Sequence, residues 1–571
     1  MTWLDWTTIA VWVVGTSALG VHFRRSAGNT RDYLLAGRRL RWWQIGIAQS
    51  ADAVDANDFV AVSGASYRTG LAQMGYTWWG MAIGSLLLSR YVAPLLYRTG
   101  VYTNAEYLEL RFGPVLRLFS TVLQVLYRFV AMALVVYALA MIYQEILGIR
   151  LWVGIWVAMG LSLIYVFTSG QLGVVMAAIP QVGLMLLTAV LVCAWTFADV
   201  GGWQGFCRHA AEHESLVRLS GHDQPGVPGG VYVWGLILTL VTYPLVNQTV
   251  AQRILGAASE ADGRKGTVVS LLPWCLITGA SILVGLMAVD VLPGLVGEQA
   301  DAVFPMLMKR YLPEGLLGLG VAALTVASVS TAAGIGTAIA GLMTVDVFRM
   351  FQHEGAPDRT RLMATRLFAA AAIACGTGFA MFIERYGGMI PFYVKFTGTF
   401  FLPLTVPYLG GAWFRGVSRG SGTAAVLGGI GVGVVLFLGG EPLPVGPSQA
   451  LWVFGEPMPD YLAQAQWRPF WVFGAAWISM IAWSLLENAL RGPIPETELA
   501  GKLNVHDLGR SGTPDEIQQL AAALPATVRL RTDRLQGGVC GTPADTSWYS
   551  HPTTFELIAL ILMCLLMVWL W

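Results

Sequence analysis

Charge is scarce in this chain. Asp, Glu, Lys and Arg make up 12% of its 571 residues, about half the fraction found in soluble domains. The net charge is +1, which speaks against a basic surface for nucleic acid. Six cysteines (Cys193, Cys207, Cys275, Cys375, Cys540, Cys564) stand far apart with no C-x-x-C, so neither a disulfide framework nor a structural zinc site is expected. No Lys or Arg precedes the first apolar stretch, whereas Arg24 and Arg25 follow it. That order is the reverse of a secretory signal, and the first stretch is expected to stay as a span. There is no P-loop, no dinucleotide fingerprint and no G-x-S-x-G in a strand–helix setting, so ATP-driven pumping and the matching enzyme classes lack support. His209-Ala210-Ala211-Glu212-His213 fits an H-x-x-E-H zinc-protease pattern, but it lies in a short loop with no catalytic domain around it. No enzyme activity is expected.

Apolar surface is what the chain has in excess. It is 55% hydrophobic with 22 Trp and a mean hydropathy of +0.60, which predicts an all-α polytopic membrane protein. A span needs about 20 apolar residues. Fourteen segments come near that length: 4–22, 42–68, 71–97, 118–146, 151–168, 182–200, 231–252, 267–290, 315–344, 362–383, 389–413, 421–440, 468–489 and 553–571. Loops then predicted inside hold 24 Lys and Arg against eight outside. This bias predicts that both termini lie outside, and the absence of targeting segments fits a bacterial inner (cell) membrane. Segment 490–552 reads as a cytoplasmic linker, with a helix start at Ser511-Gly512-Thr513-Pro514-Asp515-Glu516.

Within the second segment stands Asp52-Ala53-Val54-Asp55-Ala56-Asn57-Asp58. Each aspartate at mid-bilayer costs roughly 2.5–3.5 kcal/mol on insertion scales, so these residues must face a cavity, a partner or an ion. Polar residues among Ala and Gly also predict a helix that unwinds at depth and exposes carbonyls to a cation. Segments 2–6 and 7–11 each hold five spans and each open on an interrupted one, at 51–58 and 240–248. An odd count inverts the second block, which is the pattern of an inverted-repeat transporter. The predicted division is 1–22 (accessory helix), 42–200 (first repeat), 231–413 (second repeat), 421–489 (two more spans), the linker, and 553–571 (terminal span).

Several local patterns occur in a fixed order: Asp32-Tyr33-Leu34-Leu35-Ala36-Gly37-Arg38-Arg39-Leu40 before Trp42-Trp43, Thr103-Asn104-Ala105-Glu106-Tyr107-Leu108-Glu109-Leu110-Arg111-Phe112-Gly113, Asn247-Gln248 before Gln252-Arg253, Asp301-Ala302-Val303-Phe304-Pro305, Ser330-Thr331, and Val345-Asp346-Val347-Phe348-Arg349. Together they resemble the solute:sodium symporter family over about residues 30–415. The resemblance implies a five-plus-five inverted repeat of LeuT type with extra helices at both ends, about 14 transmembrane helices in all. It implies Na+ as coupling ion, no organic cofactor, and a small organic solute as cargo, with the lipid bilayer as surroundings. It places sodium between segments 2 and 9, on the carbonyls of Ala51, Val54 and Ala327 and the hydroxyls of Ser330 and Thr331. Oxygen donors of this kind suit a hard cation. Sugar-carrying relatives have polar side chains where this chain has Thr77, Gly80, Leu240 and Trp274, so a hexose is not expected. Many relatives carry an acidic residue near Ala178, associated with a second sodium; its absence favours one sodium per cycle.

Asp55 and Asp58 stand three apart and share a helical face, which suits contact with an amine-bearing or zwitterionic solute. Tyr243, before Pro244, matches an inner-gate tyrosine of the family. Asn247 and Gln248 line the path or cap carbonyls freed by Pro244. Trp78 is a candidate cover over a cationic group. Asp52, Lys395 and Arg128 are read as gate or internal ion-pair residues, with Asp58–Lys395 as an outer gate. Two alternatives remain: a proton-coupled carrier using Asp52 or Asp55, and a solute sensor on the same fold.

Overall fold

The computed structural model describes residues 1–22, 30–99, 101–168, 171–217, 229–348, 358–386, 389–414, 416–440, 443–444, 450–451, 458–464, 466–492 and 554–561. The expected linker from residue 493, most of the terminal span, Arg24, Arg25, Cys540 and Cys564 lie outside the described residues. What is described is mostly helical, with one two-residue antiparallel pairing, Leu443–Pro444 with Ala450–Leu451, and a single parallel bridge between Leu40 and Ala257.

The helices that position the site are, in chain order, α1 Trp3–His22, α2 Trp42–Ala53, α3 Ala56–Thr69, α4 Ala72–Leu87, α5 Asn104–Phe112, α6 Pro114–Ile142, α7 Leu151–Thr168, α8 Gln171–Asp199, α9 Gly202–Glu212, α10 Gly229–Val246, α11 Gln248–Leu255, α12 Leu271–Val291, α13 Leu316–Leu342, α14 Asp358–Phe379, α15 Met389–Phe396, α16 Ser421–Gly440 and α17 Arg468–Arg491. Eight helices among the described residues are long and apolar enough to cross a membrane, or up to nine if the bent pair α10–α11 is one span. The fourteen expected spans are therefore not all of this simple kind. The second carries three aspartates and is cut in two. The eleventh divides into α15, a wide turn and the separate helix Thr405–Trp413.

Helix α13 lies at the centre, with nearly every side chain from Leu317 to Leu342 buried. It packs against α1, α6, α7, α8 and α14. Small residues make this possible: Ala, Gly, Ser and Thr dominate its middle, and in membranes such residues let helix backbones approach closely. The clearest close approach joins α4 to α10. A Cβ at Gly80 would lie 2.6 Å from the Leu240 Cβ, and one at Gly84 2.4 Å from the Pro244 Cγ. This Gly-x-x-x-Gly pair sets α4 directly on the helix that is about to break.

Both predicted interruptions are present. Helix α2 ends at Val54 (φ −119°, ψ 119°) and α3 starts after Asp55 (φ −144°, ψ −165°), both extended. Helix α10 gives way at Asn247 (φ −69°, ψ 113°) and resumes as α11 at an angle of 41°.

Candidate functional site

A broken helix strands four carbonyls on one side and four amides on the other, and here the fate of each can be followed. The Asp55 amide donates to the Asp58 carboxylate (3.2 Å), that of Ala56 to Ser328 Oγ on α13 (3.3 Å), and that of Asn57 to the Asp55 carboxylate (2.7 Å). The Asp58 amide donates to the Asp55 carbonyl (3.1 Å). All four amides are thus satisfied without using the carbonyls of α2. Among those carbonyls, Ala51 accepts from Thr331 Oγ1 (3.2 Å) and Asp52 from the Tyr243 hydroxyl (3.1 Å). Those of Ala53 and Val54 accept no hydrogen bond from the described residues. Nearby on α13, the single proton of the Ser330 hydroxyl has two acceptors in reach, the Ala327 carbonyl (3.0 Å) and Gln181 Oε1 on α8 (2.8 Å).

Four of the oxygens expected at a sodium site therefore form two hydrogen-bonded pairs, Ala51 with Thr331 and Ala327 with Ser330, and the fifth, the Val54 carbonyl, accepts no hydrogen bond from the described residues. They are buried and uncharged, and they would trade weak mutual hydrogen bonds for a cation. Gln181 was not foreseen. It lies about one helical turn from Ala178, just after Pro180, and its amide nitrogen has no hydrogen-bond partner among the described residues. A neutral amide thus occupies the neighbourhood where an acidic residue was looked for.

Asp55 and Asp58 are engaged by backbone rather than aimed at a ligand. They form a capping box for α3, each carboxylate receiving an amide of the other's turn. Asp55→Ala is expected to cost about 0.5–2 kcal/mol of stability, whereas Asp55→Asn, an equally good cap, keeps it. Thermal unfolding of the two variants in detergent checks this, and retained sodium-driven uptake in Asp55→Asn would remove the proton-carrier alternative at this residue.

Asp52 makes an ion pair, with a partner that differs from the expected ones. Arg253 Nε and Nη2 each lie 2.9 Å from a separate oxygen of Asp52, and both residues are buried. Lys395 is half-buried on α15, and no Asp58–Lys395 pair exists among the described residues. Arg128, buried near the middle of α6, lies with its guanidinium 5.2 Å from the centre of the Tyr127 ring. The Tyr243 hydroxyl donates to the Asp52 carbonyl (3.1 Å) and lies within electrostatic reach of Arg128, Tyr127 and Asp58. Arg128 forms no ion pair among the described residues, and its Nη2 has no hydrogen-bond partner.

The remaining candidates are held by the protein itself. Asn247 caps α11, its side chain accepting from the Thr249 amide (2.8 Å). Gln248 turns away from the path: its oxygen accepts from the Asn104 amide (2.9 Å) and its nitrogen donates to the Tyr102 carbonyl (3.3 Å). The Trp78 indole donates to Thr278 Oγ1 on α12 (3.2 Å).

Two further groups of ion pairs join the helices around the site. At the end predicted outside, Arg68 after the middle of α3 meets Asp301 (2.9 Å) and the Gly297 carbonyl (2.8 Å). Burial pushes the Asp301 carboxyl above its ordinary range, and the Arg68 guanidinium opposes that. At the other end Arg117 contacts Asp346 (2.5 Å), Glu106 and Glu109, and Thr103 donates to the same Asp346. Glu106, Glu109 and Asp346 belong to the ordered sequence patterns, whose shared task is to lock α5 and α6 to the end of α13.

Residues 33–409 match the profile of the sodium:solute symporter family. The chain belongs to this family. It is accordingly a membrane transporter and not an enzyme, and sodium is the coupling ion. It is 26% identical to a sodium/glucose cotransporter of Vibrio parahaemolyticus, over 74% of this chain and 83% of that one. It is 25% identical to sodium/glucose cotransporter 2 of Rattus norvegicus, over 67% of this chain and 63% of that one, so it spans less than two thirds of that longer relative. Its fold is shared with a Na+-coupled sialic acid symporter solved in a substrate-bound outward-open state (TM-score 0.68, 17% identity, 85% of this chain and 98% of that one). A nucleobase-cation-symport-1 transporter is a more distant likeness (TM-score 0.52, 15% identity, 82% and 96%).

Proposed function

We propose that this protein carries a small zwitterionic or other carboxylate-bearing solute into the cell together with sodium. The observation that supports the sodium step is the fate of the backbone at Ala51–Asp58: the amides of Asp55–Asp58 are satisfied within the break, whereas the Val54 carbonyl accepts no hydrogen bond from the described residues and the Ala51 carbonyl is met only by the Thr331 hydroxyl. Sodium bound by Ala51, Val54, Ala327, Ser330 and Thr331 would join the broken helix to α13 and favour the arrangement in which the two stand together. Solute binding would then shift the balance toward closure at the Arg68–Asp301 end. Each charge that crosses 100 mV supplies roughly 2.3 kcal/mol to the cycle.

Arg128 supports the solute class. A buried arginine in a membrane is costly unless an anion or carbonyls meet it, and its planar fork suits a carboxylate. It stands beside Tyr243 and the break, where a solute would sit next to sodium. With Asp55 and Asp58 spent on capping, a purely cationic amine has less to recommend it than a zwitterion. The likeness to glucose and inositol carriers points instead to a sugar. Against a hexose stands the tight Gly80–Leu240 contact, which closes one of the positions where a hydroxyl partner would be needed. We further infer that the two broken helices head two inverted five-helix repeats, 42–200 and 231–413, with the chain oriented as the basic residues suggest.

The test is solute-driven current in proteoliposomes, in sodium or choline buffer, with amino acids, plain carboxylates, amines and hexoses. Current confined to sodium and to carboxylate-bearing solutes is the expected result; a hexose current would overturn the solute class. No current with any solute, in either buffer or under a pH gradient, would favour electroneutral exchange or the sensor reading. Within the responding class, Arg128→Gln should raise KM about 10- to 100-fold, the worth of one charge-assisted hydrogen bond, with Arg128→Lys restoring only part. The sodium concentration for half-activation should stay as in the unmodified protein.

A further inference from the structure

A second cluster of ligating side chains lies well away from the sodium site in sequence, at the end of α12 that connects to the Arg68–Asp301 region. His209 on α9 places Nδ1 2.8 Å from one Asp290 oxygen, and His213, at the end of α9, places Nε2 3.5 Å from the other. Asp290 comes from the last turn of α12. One ligand atom from each residue falls within 4.8 Å of the others, and the two imidazole rings are 4.8 Å apart. His209 is buried, while His213 and Asp290 keep about a third of their side chains exposed, 35% and 32%.

We propose that His209, His213 and Asp290 bind a divalent transition ion of the zinc type. The donor set decides the class. Two imidazoles and a carboxylate suit zinc and its neighbours, whereas calcium and magnesium call for oxygen ligands throughout. Geometry agrees. A tetrahedral site with bonds of about 2.0–2.2 Å separates its ligand atoms by about 3.3 Å, between the observed 2.8 Å and 3.5 Å. His213 is exposed enough to swing its ring toward His209. A hydrogen bond between His209 and Asp290 alone would explain those two residues, but it leaves the approach of His213 to the same carboxylate without a cause. The site is not a protease centre, because Glu212, which the H-x-x-E-H pattern would employ, is exposed and outside the trio.

Such an ion would brace the mouth of the carrier. Directly after His213, the Leu216 carbonyl accepts the Leu71 amide (2.7 Å). Gly70 (φ +65°) presses so closely that a Cβ there would lie 1.8 Å from that oxygen. Gly70 and Leu71 form the turn that ends α3, the second half of the broken helix. Metal between α9 and α12 therefore fixes the segment on which the end of α3 rests.

The test is calorimetric titration of zinc chloride into the full-length, tag-free protein in detergent. One site per chain with micromolar affinity is expected. His213→Ala and Asp290→Asn should each weaken it roughly tenfold or more, while Cys207→Ser, which removes an exposed thiol on the same helix, should not. On the unmodified protein, zinc should protect His213 from diethylpyrocarbonate as read by mass spectrometry, a measurement that needs no variant to fold. Absence of zinc binding to the unmodified protein, wild-type affinity in His213→Ala, or unprotected His213 in saturating zinc would each overturn the proposal.

Discussion

Replacing Ser330 and Thr331 together by alanine raises the sodium concentration for half-maximal transport by about a hundredfold or more. The reasoning starts from what these hydroxyls touch. Thr331 donates to the Ala51 carbonyl of the broken helix, and Ser330, its neighbour on α13, lies 3.0 Å from the Ala327 carbonyl of its own helix. Each hydroxyl removed takes one neutral oxygen from a buried cation, and polar contacts to a charge are worth about 1.5–3 kcal/mol each. One such contact already corresponds to roughly tenfold or more in affinity. The loss should appear in sodium dependence first, because neither hydroxyl is part of a helix cap or an ion pair. Ser328→Ala is the informative contrast. Its hydroxyl accepts the Ala56 amide and so supports α3 rather than an ion, and it should lower stability with a smaller shift in sodium affinity. Sodium titration of solute uptake in proteoliposomes separates the two. Equal half-activation in the double variant and the unmodified protein would remove the sodium placement.

Much of this site could be read from the sequence, for identifiable reasons. The two helix breaks were visible because Gly, Pro and clustered polar residues inside apolar segments leave backbone groups that only a cavity, a neighbour or an ion can satisfy. The Ser330–Thr331 pair was found through an ordered set of patterns, since hydroxyls on a small-residue helix could equally serve packing. Asp55 and Asp58 show the opposite case. The spacing that puts both on one helical face is also the spacing of a capping box, and the box could have been recognised from Asp55-x-x-Asp58 at a predicted break. Gln181 and Arg253 were out of reach for a different reason. Gln181 meets Ser330 across 149 positions and Arg253 meets Asp52 across 201, and no local periodicity carries contacts of that length. Arg253 falls one residue past the predicted span 231–252, whereas the fold buries it on α11. The His209–His213 spacing was noticed as a pattern, but its third member, Asp290, is 77 or more positions away in sequence and arrives only when α9 folds onto α12.

Arg253→Met should be the most destabilising single replacement around the site, at about 3–5 kcal/mol. Asp52 and Arg253 are both almost fully buried and share two 2.9 Å contacts. Removing one partner leaves the other's charge without compensation in a low-dielectric interior. The pair also has a positional task. Asp52 is in the last turn of α2, between Ala51 and the extended Val54, and its own carbonyl is held by Tyr243. Arg253 sits on α11, just past the second break. The ion pair therefore ties the two broken helices to each other beside the carbonyls assigned to sodium. Replacing both members by apolar residues of similar size, Asp52→Leu with Arg253→Met, removes the stranded charge and should recover most of the lost stability. It should not recover sodium affinity, because nothing then fixes the end of α2 against α11. Thermal unfolding in detergent and sodium titration of uptake read the two effects separately. If Arg253→Met unfolds with the unmodified protein, the pair contributes nothing to stability; if the double variant regains full sodium affinity, the link between the broken helices is not what shapes the site.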